Sequence, residues 1–253
     1  MGVDLQKASM WKRISAWLFD AIITAILAVA VALGLSALFQ YDTYSVRYEE
    51  LYAQYEKEYG VSFEIQKSEY DAFTPEQKEQ FDVAMKAFSE DPEVLNVYGM
   101  IYNLILLIAS LSILAAFLVW EFVVPLWIGN GQTLGKKIFG VCLMRVDGVR
   151  CTAVQLFVRT LLGKYTVGTM IPVFLLLMLF LGTLDIFGLV LLIAVPVSQL
   201  IILGVTKNNS LIHDLMAGTV VVDHASQRIF PDTESLIAYC NRMHAEEVKK
   251  QGY

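Results

Sequence analysis

The chain has 253 residues, 56% of them hydrophobic, a mean hydropathy of +0.54 and a formal net charge of −6. This composition excludes an ordinary soluble domain, and nothing in the charge pattern suggests a nucleic-acid partner. With only three histidines and three cysteines, no metal-ligand or nucleophile–base spacing stands out; no cofactor, metal site or enzymatic activity is expected.

The first long apolar stretch sets the frame. Residues 21–39 contain no charged side chain, and as a helix they would extend about 28 Å, close to the hydrocarbon thickness of a bilayer. The run is too long for the core of a cleaved signal peptide, so it is expected to remain as an anchor. Arg13 and Asp20 precede it, seven residues apart and hence on one helical face. Three further uncharged runs, residues 94–120, 165–184 and 186–206, have spanning length, and the last two are separated only by Asp185. One helix through both would be about twice as long as a bilayer needs, so a hairpin turning at residues 182–185 is predicted.

The expected fold class is an all-α integral membrane protein: four transmembrane helices, a small cytoplasmic β-sheet and a helical extracytoplasmic insertion. The division runs 1–40 for the N-terminus and first helix, 41–97 for the insertion, 98–128 for the second helix and 129–164 for a cytoplasmic hairpin and amphipathic helix. Helices three and four occupy 165–206, and 207–253 hold a cytoplasmic strand and a polar tail helix.

Basic residues orient the chain. Lys7, Lys12 and Arg13 precede the first helix, and Lys136, Lys137, Arg145, Arg150, Arg159 and Lys164 lie between helices two and three against the single acid Asp147. Residues 40–93 carry five basic and fourteen acidic side chains. A multi-pass protein of the cell membrane is expected, with both termini cytoplasmic and residues 41–97 outside. All three cysteines, Cys142, Cys151 and Cys240, then fall on the reducing side and are expected to be unpaired.

Within the insertion, Tyr44, Tyr48, Leu51, Tyr52, Tyr55 and Tyr59 recur at helical spacing. Thr74-Pro75-Glu76-Gln77 has the pattern of a helix start, followed by an apolar stripe of Phe81, Ala84, Met85 and Phe88. The stripes are expected to pack on each other as a small cap; the alternative is a partner-binding surface of tyrosines and acids. Glu121 falls at the same predicted depth as Asp20. Beyond it, Gly131-Gln132-Thr133-Leu134-Gly135-Lys136 lacks the glycine spacing of a nucleotide-binding phosphate loop. Residues 138–146 read as a strand, Asp147-Gly148 as a hairpin turn and residues 149–151 as the return strand. Thr152-Ala153-Val154-Gln155 is a capping box that opens an amphipathic helix expected to lie along the membrane surface. After the fourth helix comes a short helical turn ending at Gly218, then a strand, residues 219–222, expected to pair with the hairpin.

In chain order, Arg13-x-x-Ala16-x-x-x-Asp20, Gly131-Gln-Thr-Leu-Gly-Lys136 with Asp147-Gly148 after it, Arg159, and His213-Asp214-Leu-Met-Ala-Gly-Thr219-Val-Val closely resemble the RDD family. This family of mostly bacterial membrane proteins is named for one Arg and two Asp. The resemblance places them on Arg13, Asp20 and Asp214 and spans residues 11–39 and 98–222. The acidic insertion and the tail beyond Val222 depart from it. For the family it implies a transport role, sodium–proton antiport in some members.

The charged side chains Asp20, Glu121, Arg159, Asp214 and Lys136 are predicted to gather at the cytoplasmic boundary. An ionised carboxylate in hydrocarbon is costly unless paired or hydrated, so these groups should find one another. In one reading Arg13–Asp20 and Arg159–Asp214 are fixed pairs locking helix ends to the sheet. In the other, Asp20 and Glu121 together bind Na⁺ or exchange it for H⁺, with Arg13 as a movable competitor. The leading function is transport of small cations; the alternative is a non-transporting adaptor or scaffold that binds protein partners through the acidic insertion or the sheet. The lipid bilayer is the one partner required throughout. Ala30-x-x-x-Gly34 offers a close-packing face within the chain or in a homo-oligomer.

Overall fold

The computed structural model describes residues 5–129, 131–180 and 182–251. It is mostly helical, with four candidate membrane spans and a two-stranded antiparallel sheet. The chain divides into two compact units, Val29–Ser112 and the remainder, Met1–Ala28 with Ile113–Tyr253.

Helix α1, Met10–Leu38, is 29 residues long, about 43 Å and longer than the hydrocarbon layer. Its buried positions Ala16, Asp20 and Thr24 repeat every four residues, a single stripe that turns inward while Trp17, Ile22 and Ile26 are exposed.

In the unit Val29–Ser112, α2 (Tyr41–Tyr59), α3 (Lys67–Asp71), α4 (Pro75–Glu90) and the start of α5 (Pro92–Phe117) enclose one core. Leu51, Phe63, Ala84, Phe88 and Val94 are buried there, with the rings of Tyr48, Tyr52 and Tyr55 set edge-on around Phe88 at centroid distances of 5.4–5.8 Å. The aromatic stripes do pack on each other. Thr74 caps α4 as its sequence predicts, its hydroxyl accepting from the Gln77 N–H while the Gln77 side chain accepts from the Thr74 N–H.

The second unit takes up the chain at Ile113, within α5, which runs on into a π-helical segment, Leu118–Val123, and then α6, Val124–Ile128. Together they make a 37-residue candidate span beginning at Pro92, six residues earlier than expected. Thr133 caps α7, Leu134–Ile138, by accepting from the Lys136 N–H at 3.4 Å. The expected strand over 138–146 is therefore shorter: β1 is Val141–Arg145, because the cap draws residues 134–138 into a helical turn. The return of the hairpin is reduced to isolated bridges, Met144 to Arg150 and Val149 to Phe230.

As expected, β1 pairs with the later strand β2, Thr219–Asp223, in antiparallel register from Val141↔Asp223 to Arg145↔Thr219. Val141, Leu143 and Val221 join Ala8, Ala16 and Leu156 in one core, and Cys142, Met144, Val220 and Val222 form another with Leu5 and Ile229. Both faces of the sheet are thus covered, which is why these strands read as continuous apolar runs rather than alternating ones. All three cysteines are free; burial raises the Cys142 thiol to about 12 and that of Cys151 to about 11.

The third span corrects an expectation. No separate surface helix precedes it: α8 (Ala153–Phe157) continues through a second π-helical segment, Val158–Met170, into α9 (Ile171–Phe180). Between Thr152 and Ile171 there is no proline to stop the helix, and changing to i→i+5 bonding lets it continue. The turn to α10, Ile186–Val205, is as predicted: Gly182 has φ +68 and Asp185 caps α10 by accepting from the Gly188 N–H at 2.7 Å. Leu181, at the head of that turn, lies outside the described residues. After α11 (Ile212–Ala217) and β2, the tail helix α12 occupies Thr233–Gln251.

Candidate functional site

The charged residues singled out in the sequence lie in one unit and form two ion-pair groups and a carboxylate cradle. In the first group Arg159 Nε sits 2.8 Å from Asp214 Oδ1, and Arg13 reaches Asp214 Oδ2 at 3.8 Å. Asp214 also accepts from the Leu211 N–H at 3.3 Å and the Thr219 hydroxyl at 3.4 Å, tying α11 to its own N-terminus and to β2. The expected Arg159–Asp214 pair is present. The expected Arg13–Asp20 pair is absent from the ion pairs of the described residues: the Arg13 guanidinium reaches Asp214 instead.

In the second group Glu121 is gripped from two sides, by Lys164 at 2.6 Å and Lys136 at 3.3 Å, and its backbone carbonyl accepts from Thr160 at 3.0 Å. Arg159 and Lys164 both lie in the second π-helical segment. Residues five apart in an α-helix diverge by about 140°, whereas i→i+5 bonding stacks them, so this segment directs both cations to one side.

Asp20, 2% exposed, has no cation within ion-pairing distance among the described residues. Its carboxylate accepts three hydrogen bonds: from Trp120 Nε1 at 3.1 Å, from the Gly135 N–H at 3.0 Å and from the Thr133 hydroxyl. Neutral donors thus solvate the anion in place of water. Asp20 and Glu121 do not share a site: Trp120 serves Asp20, while Glu121, the next residue, is held by the two lysines. Among the described residues no group of three or more His, Cys, Asp and Glu could hold a metal ion.

Two glycines make these approaches geometrically feasible. A Cβ at position 135 would lie 2.6 Å from the Ala16 carbonyl oxygen and 2.8 Å from the Asp20 carboxyl carbon. One at position 163 would lie 2.2 Å from the His213 Cβ, so the second π segment and α11 pack backbone to side chain. Gly163→Ala is expected to force them apart at a cost of about 1–3 kcal/mol, read as a lower thermal midpoint of the purified protein in detergent.

His213 is buried beside Asp214, its Nε2 3.7 Å from the carboxylate. Burial lowers its pKa to about 3, Asp214 opposing, so the folded protein holds it neutral. Burial alone would raise the Asp214 carboxyl, but Arg159 and Arg13 outweigh it and hold that acid below its ordinary range. Between pH 6.5 and about 3 the unfolded chain protonates His213 while the folded one does not, so stability falls as pH falls through that window. The Asp214 contribution is present above pH 3.8 and is lost as pH falls through its lower folded value. Both act in the same direction. The unfolding midpoint should drop steadily from about pH 7 to about pH 4, and less steeply in His213→Gln.

A family model described as the RDD family matches residues 7–218, more than half of the chain. The chain belongs to the RDD family. Of the three residues on which the sequence resemblance places the family's Arg and two Asp, Arg13 and Asp214 face one another and Asp20 sits in its own cradle. Searches of curated proteins and of solved structures found no match. Sequence reading overlooked the RDD protein's cradle residues Trp120, Thr133 and Gly135, and Lys164 as the nearer partner of Glu121. The one local signal was Thr133 followed by Leu134-Gly135-Lys136, a capping residue before a short helix.

Proposed function

We propose that this RDD protein is a non-transporting, non-catalytic membrane adaptor whose buried charges are a lock. One observation carries the reading: among the described residues each of the three buried carboxylates is satisfied by groups of the protein itself, and the four cations Arg13, Lys136, Arg159 and Lys164 outnumber these three acids. A cation approaching Glu121 or Asp214 would meet net positive charge, and one approaching Asp20 would have to displace a bonded donor. The lock ties α1, the second span, the third span and α11 to the β1–β2 sheet. That sheet would present a fixed platform on the basic, cytoplasmic side. By the same charge rule, residues 41–97 would be an acidic external cap carrying tyrosines for a protein partner.

Sodium–proton exchange is the second reading, and the 13-residue π-helical segment Val158–Met170 favours it, since π-helical geometry recurs at functional sites. Sealed liposomes separate the two. The adaptor reading expects Na⁺- and pH-gradient-driven flux no greater than in protein-free vesicles. Flux that disappears in well-folded Asp20→Asn would replace it with exchange.

A further inference from the structure

We propose that α7, with the residues just before it, is a membrane-interface element seated among anionic phospholipid headgroups. Three observations converge on it. First, α7 is fixed in depth: the Gly135 N–H bonds Asp20 at 3.0 Å, and the backbone there packs so closely on α1 that no Cβ would fit against the Ala16 carbonyl. Asp20 is the last charged residue of α1, and the next in sequence is Asp42. The N-terminus of α7 is therefore held where the uncharged part of the span begins. Second, the short helix is two-faced. Gly135 and Lys136 are buried, while Leu134 and Ile138, one turn apart, are exposed, Ile138 at 62%. Trp127, at 87% the most exposed tryptophan, precedes them. An apolar face that follows an exposed Trp closely in sequence, at the edge of a span, is the composition of the bilayer interface. Third, Lys137 lies between Leu134 and Ile138 in sequence, is exposed, and makes no ion pair among the described residues. Its charge fits a lipid phosphate, and its methylene stem can lie along acyl chains. The inference holds whether the charge network is a lock or an ion path.

Full-length protein in nanodiscs containing phosphatidylglycerol and phosphatidylcholine tests it, with a nitroxide on Ile138→Cys in a Cys151→Ser, Cys240→Ser background. Oxygen should relax the label strongly while a water-soluble nickel chelate should not; a label on His224→Cys, on an exposed turn, should show the reverse. Nickel accessibility at 138 equal to that at 224 would overturn the insertion. Lys137→Gln should retain about fivefold less phosphatidylglycerol through purification, with phosphatidylcholine unchanged. Equal phosphatidylglycerol retention by wild type and variant would overturn the anionic-headgroup assignment.

Discussion

Asp214→Ala is expected to lower the stability of the folded protein by about 3–5 kcal/mol, the largest effect of any single substitution in the network. The carboxylate is buried, with Arg159 at 2.8 Å and Arg13 at 3.8 Å, and it also holds the Leu211 N–H and the Thr219 hydroxyl. Its removal strands the buried Arg159 guanidinium, leaves the partly buried Arg13 without its counter-charge and releases α11 from β2. Asp214→Asn should fall between alanine and wild type, because the amide oxygen still accepts one bond but leaves both cations uncompensated. Thermal unfolding in detergent, followed by circular dichroism and by monodispersity on gel filtration, gives the order. Equal midpoints for all three proteins would remove the basis of the lock.

Asp20→Ala comes second, at about 3 kcal/mol, for a different reason. No cation is stranded; instead the Trp120 indole N–H, the Thr133 hydroxyl and the Gly135 N–H lose a common acceptor. Each buried donor left without a partner costs about 1–3 kcal/mol, offset where water from the membrane boundary reaches the gap. Asp20→Asn should fold far better than alanine, since its Oδ1 can still accept from Trp120 and Gly135 while its amide nitrogen faces the Thr133 hydroxyl, which can turn to accept. A practical signature distinguishes this site from the Asp214 pair. Loss at Asp20 should vary little with salt, whereas residual binding of anions to the stranded arginines should partly restore Asp214→Ala at high phosphate or sulfate.

The large features were legible because they are local. Uncharged runs of spanning length, the break at Asp185, the Thr74 cap and the tyrosine stripe each depend on spacing within a few turns, and each is present. Arg159–Asp214 was legible for another reason: buried opposite charges at one depth have few alternatives. What was missed is non-local or too short for periodicity. Seven residues place Arg13 and Asp20 on one face but about 10 Å apart along the axis, so the spacing never implied contact. The actual partner of Arg13 is two hundred residues away in sequence. Helix α7 has five residues, too few for a 3.6-residue period to register, so the Asp20 cradle read only as a small polar loop. The second π-helical segment leaves no compositional mark, and it is what turns Arg159 and Lys164 to the same side.

The most direct test of the lock is a double-mutant cycle on Arg159 and Asp214, using Arg159→Met, Asp214→Ala and the pair, with unfolding free energies measured in one detergent. Arg159 and Asp214 in direct contact should give a coupling energy of about 2–3 kcal/mol, with the double variant losing clearly less than the sum of the singles. Additivity within about 0.5 kcal/mol would mean the two charges do not stabilise one another, and would contradict the account.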